Sequence, residues 1–313
     1  MIELAEIEAA RDRIAGAAVR TPLVRLYVDD VPAQIYLKLE NLQPVNSFKI
    51  RGATNAIMAA PRAAWARGLV TASAGNMAQG VAWAARELGV PATIVVPENA
   101  PEAKLAAISR LGGQVRKVPY DDWWNIIVTS RVDGVDGLFV HPVQDPGVMA
   151  GNGTIGLEIL EDLPDPDAVV IPYGGGGLTV GIGSALRALR PQTQIITAEP
   201  ATAAALAAAL PAGQPVDVDY TASFVDGSGS RRVLDSMWPL VSPLVDKALA
   251  IPVDEVAAAL RTLAERVRVI AEGAGALAPA AALSGRAGDG KVVCVVSGGN
   301  INLTKVAEIL TLS

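Results

Sequence analysis

Short runs of β-branched and aliphatic residues alternate along this chain with longer alanine-rich stretches. The runs at 35–39, 92–96, 114–118, 168–171, 194–198 and 292–296 have the length and composition of strands. Between several of them, residues 78–88, 102–111, 178–189 and 256–269 carry apolar positions at helical spacing. Parallel strands need long crossovers, usually helical, so the alternation predicts an α/β fold with mainly parallel sheets. Ile94-Val95-Val96-Pro97 and Val169-Val170-Ile171-Pro172 are continuously apolar, as strands covered on both faces should be. Breaks fall at Gly89-Val90-Pro91, Gly112-Gly113 and Pro164-Asp165-Pro166, and residues 161–167 read as a surface loop. Residues 201–212 hold eight alanines in twelve and read as one helix packed closely on its neighbours.

Composition narrows the classes. The 313 residues are 51% hydrophobic and 19% charged, too apolar for a disordered chain. A net charge of −6 argues against nucleic acid as a partner. The single cysteine, Cys294, excludes an internal disulfide framework, and the single histidine, His141, excludes a multi-histidine zinc site. Cys294 lies in an apolar run and reads as a buried strand residue; His141, before Pro142, reads as a hinge or interface residue. The first 24 residues mix charges at helical spacing, without the apolar run of an export signal or membrane span. A cytoplasmic protein is therefore the expectation.

The most informative local feature is Gly174-Gly175-Gly176-Gly177-Leu178, between a predicted strand and a predicted helix. Glycines leave backbone N–H groups unobstructed, and a helix N-terminus favours an anion. A tight turn or hinge is the alternative; the strand-before, helix-after context favours phosphate. No Gly-Lys-Ser/Thr follows, and the spacing is not that of a dinucleotide fingerprint. Three other loops, Ser73-Ala74-Gly75-Asn76, Asp226-Gly227-Ser228-Gly229-Ser230 and Ser297-Gly298-Gly299-Asn300, together suit one site at the carboxyl ends of strands, although singly each reads as a common turn. Lys49, in Ser47-Phe48-Lys49-Ile50-Arg51-Gly52-Ala53, falls in the first turn of a helix that Ser47 is placed to cap. The helix dipole would lower its pKa, as would Phe48 and Ile50 if they shield it, which suits imine chemistry; an ordinary solvated lysine beside Arg51 is the alternative.

Taken together and in order, these motifs resemble the threonine and serine dehydratases, pyridoxal-phosphate enzymes of the tryptophan synthase β-like group. His141-Pro142, residues 150–154 and Glu272-Gly273-Ala274-Gly275-Ala276-Leu277 also look like segments of that family. The resemblance implies two open twisted mainly parallel sheets flanked by helices. Residues 1–60 and 145–313 would form a large cofactor-binding domain, and 61–144 a smaller mobile domain that closes over substrate. It implies pyridoxal 5′-phosphate bound to Lys49 as an imine, with Lys49 later acting as the base at Cα. Phe48 would support the ring and Asn76 would meet its phenolic oxygen. Gly174, Gly175, Gly176, Gly177 and Leu178 would cradle the phosphate, and Ser297 would face the pyridine nitrogen. Ser73, Ala74, Gly75, Asn76 and Met77 would bind the substrate, with no metal required. The implied reaction is dehydrative deamination of L-threonine or L-serine to a 2-oxo acid and ammonia. A homodimer or homotetramer is implied, with a small amino acid as the only partner and neither nucleic acid nor membrane.

The sequence departs from the family pattern in places. Met77 stands where the dehydratases usually carry histidine, which opens bulkier substrates such as hydroxyaspartate or phenylserine. Ala74 stands where serine racemases carry a hydroxyl, which disfavours racemisation. The lysine context disfavours β-replacement, and the retained motifs disfavour a non-catalytic binding protein. After Glu199-Pro200 the acid of metal-binding relatives is missing. Trp123-Trp124 reads as core packing, with a pocket or subunit contact as alternatives.

Overall fold

The computed structural model describes residues 1–29 and 31–311. Its strands are β1 (Leu23–Leu26), β2 (Gln34–Leu39), β3 (Leu69–Ala72), β4 (Ala92–Pro97), β5 (Gln114–Val118), β6 (Leu138–Phe139), β7 (Ala168–Pro172), β8 (Gln194–Pro200), β9 (Lys247–Ile251) and β10 (Lys291–Val296). The first helices are α1 (Leu4–Arg13), α2 (Lys49–Ala59), α3 (Arg62–Trp65), α4 (Asn76–Leu88), α5 (Glu102–Arg110), α6 (Tyr120–Thr129) and α7 (Pro146–Asp162). The later ones are α8 (Gly177–Leu189), α9 (Ala205–Ala212), α10 (Trp238–Val241), α11 (Val253–Val267), α12 (Gly273–Leu283) and α13 (Leu303–Thr311). The strands form a six-stranded sheet, order β1-β2-β10-β7-β8-β9, and a four-stranded sheet, order β5-β4-β3-β6. All pairings are parallel except β1 with β2.

Side chains alternate across a strand, so each central strand of the large sheet feeds two cores. Leu37, Val170, Ile196, Val292, Cys294 and Val296 pack on one face with Leu260 of α11 and Leu277 of α12. Val169, Ile171, Ile195, Val293 and Val295 pack on the other with Ile159 of α7 and Ile182 of α8. The small sheet repeats the arrangement. Leu69, Ile94 and Val96 meet Ile57, Val81 and Ile108, while Val70, Ala72 and Val95 meet Ile126 and Ile127.

Several local expectations need correction. The N-cap of α2 is Phe48, not Ser47, whose buried hydroxyl bonds no protein group. Phe48 already has helical φ/ψ and Ser47 is drawn into a bridge with Gly298, so its side chain cannot cap. The predicted loop at 161–167 begins later, because α7 runs on through Asp162. The alanine-rich stretch is interrupted: a 3₁₀ turn at Ala201–Ala203 precedes α9, with Ala204 non-helical between them. Trp124 is 45% exposed, so only Trp123 of the pair joins the core. Cys294 is fully buried as expected, and burial pushes its thiol far up.

Beneath α2 lies a buried ionic cluster. Arg51 donates to both oxygens of Glu40 at 2.8 and 2.9 Å and to both oxygens of Glu158 at 2.6 and 2.9 Å. Lys38, on β2, bonds Glu158 at 2.5 Å and the Thr21 carbonyl at 2.6 Å. Burial draws the Glu40 carboxyl upward, but the Arg51 charge and hydrogen bonds outweigh it and hold it below the usual carboxylate range. Two cations and two anions thus tie β2, α2 and α7 together directly under the segment that carries Lys49.

Candidate active site

Three of the four loops singled out in the sequence leave the carboxyl ends of β3, β7 and β10, where open α/β sheets gather ligands. The loop at 226–230 follows no strand: it lies between α9 and α10, and joins the glycine run through the Gly229 N–H, which donates to the Tyr173 carbonyl at 3.0 Å. Backbone bonds stitch the Lys49 segment to the loop after β10. The Phe48 N–H donates to the Ser297 carbonyl at 3.0 Å, and the Gly299 N–H to the Asn46 carbonyl at 2.8 Å. The Glu272 N–H donates to the Gly298 carbonyl at 3.0 Å, which brings the start of α12 to the same point. Asn300 Nδ2 reaches the Val45 carbonyl at 2.9 Å and Asn76 Oδ1 at 2.8 Å, which adds the start of α4. Asn76 Nδ2 in turn donates to Glu272 Oε1 at 2.6 Å.

Lys49 opens α2, and its Nζ donates to the Pro142 carbonyl at 2.9 Å and lies 5.1 Å from the Phe48 ring centroid. Burial lowers its pKa to about 8, against the opposing pull of Glu272. His141 shapes the strand-to-helix crossover that supplies this carbonyl. Its Nδ1 accepts from the Val143 and Gln144 N–H groups at 3.0 and 2.9 Å, so its Nε2–H donates to the Ile127 carbonyl at 3.0 Å. Burial holds this imidazole below its ordinary pKa, consistent with the neutral form these bonds require.

Val143 then links Lys49 to the glycine run. Its side chain lies against Gly175 and its carbonyl against Gly177. Gly176 adopts φ +95°, which favours glycine. Among the described residues, the N–H groups of Gly174, Gly175 and Gly176 donate to no protein acceptor. The Thr179 hydroxyl, in the first turn of α8, is buried without a partner. Unpaired N–H groups at the start of a helix, beside a buried lysine, fit a phosphate-bearing aldehyde such as pyridoxal phosphate. Ser297 is buried, and its hydroxyl makes no hydrogen bond to protein among the described residues, leaving it free for a ring nitrogen.

The contacts of the glycines predict a contrast. A Cβ on Gly175 would stand 2.5 Å from Val143 Cγ2, whereas one on Gly174 would find nothing nearer than 3.4 Å. Gly175→Ala is expected to weaken cofactor binding about tenfold or more, from overpacking strain of about 1–3 kcal/mol. Gly174→Ala should leave it within about threefold, corresponding to roughly 0.6 kcal/mol. Equilibrium dialysis of the two variants checks this.

The substrate loop is shaped by Ser73, whose Oγ accepts from the Gly75 N–H at 3.2 Å. Ala74 packs at the edge of the small-sheet core. The Met77 side chain is buried in that core with Ile57, Val81 and Val148. Glu199 is also buried, and its oxygens accept the Leu206 and Ala207 N–H groups at 3.1 and 2.9 Å. Burial raises it to about 7 in spite of these bonds. Sequence reasoning assigned no role to Glu272, Pro142, Val143 or Asn300. The available signal was their place in motif segments, with Glu272 an isolated acid before an alanine- and glycine-rich helix.

Comparison with known proteins gives consistent results. The family described as pyridoxal-phosphate dependent enzyme matches residues 14–298. The L-threonine ammonia-lyase of Geobacter sulfurreducens is 40% identical over 99% of this chain and 78% of its own length. The catabolic L-threonine dehydratase TdcB of Escherichia coli K12 is 37% identical over 98% of this chain and 96% of its own length. The structure of maize serine racemase superposes with a TM-score of 0.91 at 33% identity, covering 98% of this chain and 96% of that one.

Proposed function

The chain belongs to the pyridoxal-phosphate dependent enzymes, and from that premise we propose that it deaminates a β-hydroxy amino acid, L-threonine or L-serine foremost, to a 2-oxo acid and ammonia. The observation that carries the proposal is a buried lysine amine, poised near neutrality, one short loop away from a cradle of unpaired glycine N–H groups. When bound, pyridoxal 5′-phosphate supplies the electron sink that lets the Cα proton leave. Gly174 through Leu178 would hold its phosphate, Phe48 would support the ring, Asn76 would meet the phenolic oxygen and Ser297 the pyridine nitrogen. A serine hydroxyl does not force a proton onto that nitrogen as a carboxylate would, which suits elimination.

Lys49 in its neutral form takes the Cα proton and holds it at Nζ. The backbone of Ser73 through Met77, at the N-terminus of α4, would take the substrate carboxylate. Residues 61–144 would move as a small domain over the larger one, formed by 1–60 and 145–313, and so exclude water. Ala74 carries no acid for reprotonating the opposite face, which favours elimination over racemisation. A cytoplasmic homodimer or homotetramer belongs to the same reading; among the described residues no helix is long and apolar enough to cross a membrane.

The pH dependence has a definite sign. Lys49 would hold the cofactor only as a neutral amine, so the loading rate of apoprotein should rise with pH through about 8. A rise only well above that, as for an ordinary exposed lysine, would contradict the buried amine. Incubation of the loaded enzyme with L-serine tests the reaction class. Equal amounts of 2-oxo acid and ammonia, without D-serine, are expected; D-serine as the main product would replace elimination by racemisation.

A further inference from the structure

We propose that Glu272 is a positioning residue of this site: its carboxyl holds the nitrogen end of the Asn76 amide, and its charge acts on the Lys49 amine. The inference rests on the reading of Lys49 and Asn76 given above. The Asn76 amide is held at both ends, its nitrogen by Glu272 Oε1 at 2.6 Å and its oxygen by Asn300 Nδ2 at 2.8 Å. This fixes the nitrogen side and leaves its second N–H for a ligand oxygen. Gly298 makes room for the carboxyl, since a Cβ there would lie 2.3 Å from Glu272 Oε1. Without Glu272 the nitrogen end of the amide would lose its acceptor, and only the Asn300 Nδ2 donor would distinguish the two orientations.

The charged groups that act on this carboxyl come from three other elements. Lys49 of α2 and Lys104 of α5 favour its ionised form, while Asp226, in the loop at 226–230, opposes it. Lys104 and Asp226 pair with each other at 2.7 Å near the surface. Burial is the largest influence and raises Glu272 to about 7, whereas the same burial lowers Lys49 to about 8. Burial thus acts against the charged form of both groups, and the charge of each favours the charged form of the other. Removing the carboxylate must make Lys49 lose its proton more easily. Making the carboxylate easier to form must do the reverse.

The test reads Lys49 directly in apoprotein, by competitive acetylation across pH with mass spectrometry of the Lys49 peptide. Glu272→Gln is expected to lower the Lys49 midpoint by roughly one pH unit. Glu272→Asp keeps the charge and should leave the midpoint near that of the wild type. The shorter side chain loses the Asn76 bond, so loaded Glu272→Asp should release cofactor faster than Glu272→Gln, whose Oε1 still accepts. Asp226→Asn, at an exposed position, removes the charge that opposes ionisation of Glu272 and should raise the Lys49 midpoint. It keeps the test decisive if a Glu272 variant misfolds. A Lys49 midpoint unmoved by Glu272→Gln and Asp226→Asn would overturn the inference. If these shifts occur without turnover of any amino acid, it is the proposed activity that fails; normal turnover with no shift removes this inference alone.

Discussion

Lys49→Ala is expected to abolish the imine absorption of the loaded protein and to lower turnover by about 10³-fold or more. Two functions are lost together, the covalent anchor and the base at Cα. No neighbouring amine can substitute. Lys38 is fully buried and already bonded to Glu158 and the Thr21 carbonyl, and Lys104 is paired with Asp226 near the surface. The fold should survive, since among the described residues the lysine amine makes one hydrogen bond, to the Pro142 carbonyl, and no salt bridge. Lys49→Arg should be equally inactive, because a guanidinium is not deprotonated at working pH and cannot act as the base. Absorption spectra and product assays of both variants check the expectation; residual turnover within tenfold of the wild type would remove Lys49 from the centre of the mechanism.

The largest effect on stability is expected at Arg51. Its side chain is 1% exposed and bridges Glu40 and Glu158, themselves buried. Arg51→Ala would leave Glu40 without its cation and Glu158 with Lys38 alone. Breaking a buried pair by deleting one partner costs about 3–5 kcal/mol, because an uncompensated charge stays behind. Arg51→Lys should recover only part of this, since an ammonium cannot reproduce the forked bonds to two carboxylates. The effect should also depend on pH. Glu40 has its pKa depressed in the fold, so its contribution is present above the ordinary carboxylate range and is lost as pH falls through the depressed value. Urea unfolding of wild type and both variants at neutral and acidic pH measures this. Equal midpoints for wild type and Arg51→Ala at neutral pH would show that the cluster does not hold α2 in place.

The central strands were legible because β4, β7 and β10 are buried on both faces and therefore write continuous apolar runs. β1, β6 and β9 left weaker traces. β1 and β9 are edge strands with half-exposed positions, and β6 is a two-residue strand whose partner lies far away in sequence. The glycine run and Lys49 stood out because phosphate binding and imine chemistry constrain residue type locally. Glu272 and the Pro142 carbonyl did not. Their roles arise from long-range contacts, 196 residues from Asn76 and 93 residues from Lys49. Ser47 resembles a cap in the sequence but does not act as one for a similar reason: its pairing with Gly298 is tertiary and overrides the local capping preference.

The most direct test of the account is release of 2-oxo acid and ammonia by purified, cofactor-loaded enzyme. The panel would be L-threonine, L-serine, their D-forms, threo-3-hydroxyaspartate and phenylserine. The account predicts equimolar release from an L-β-hydroxy amino acid, abolished in Lys49→Ala. Intact cofactor absorption through Lys49 with no release from any member of the panel would contradict it.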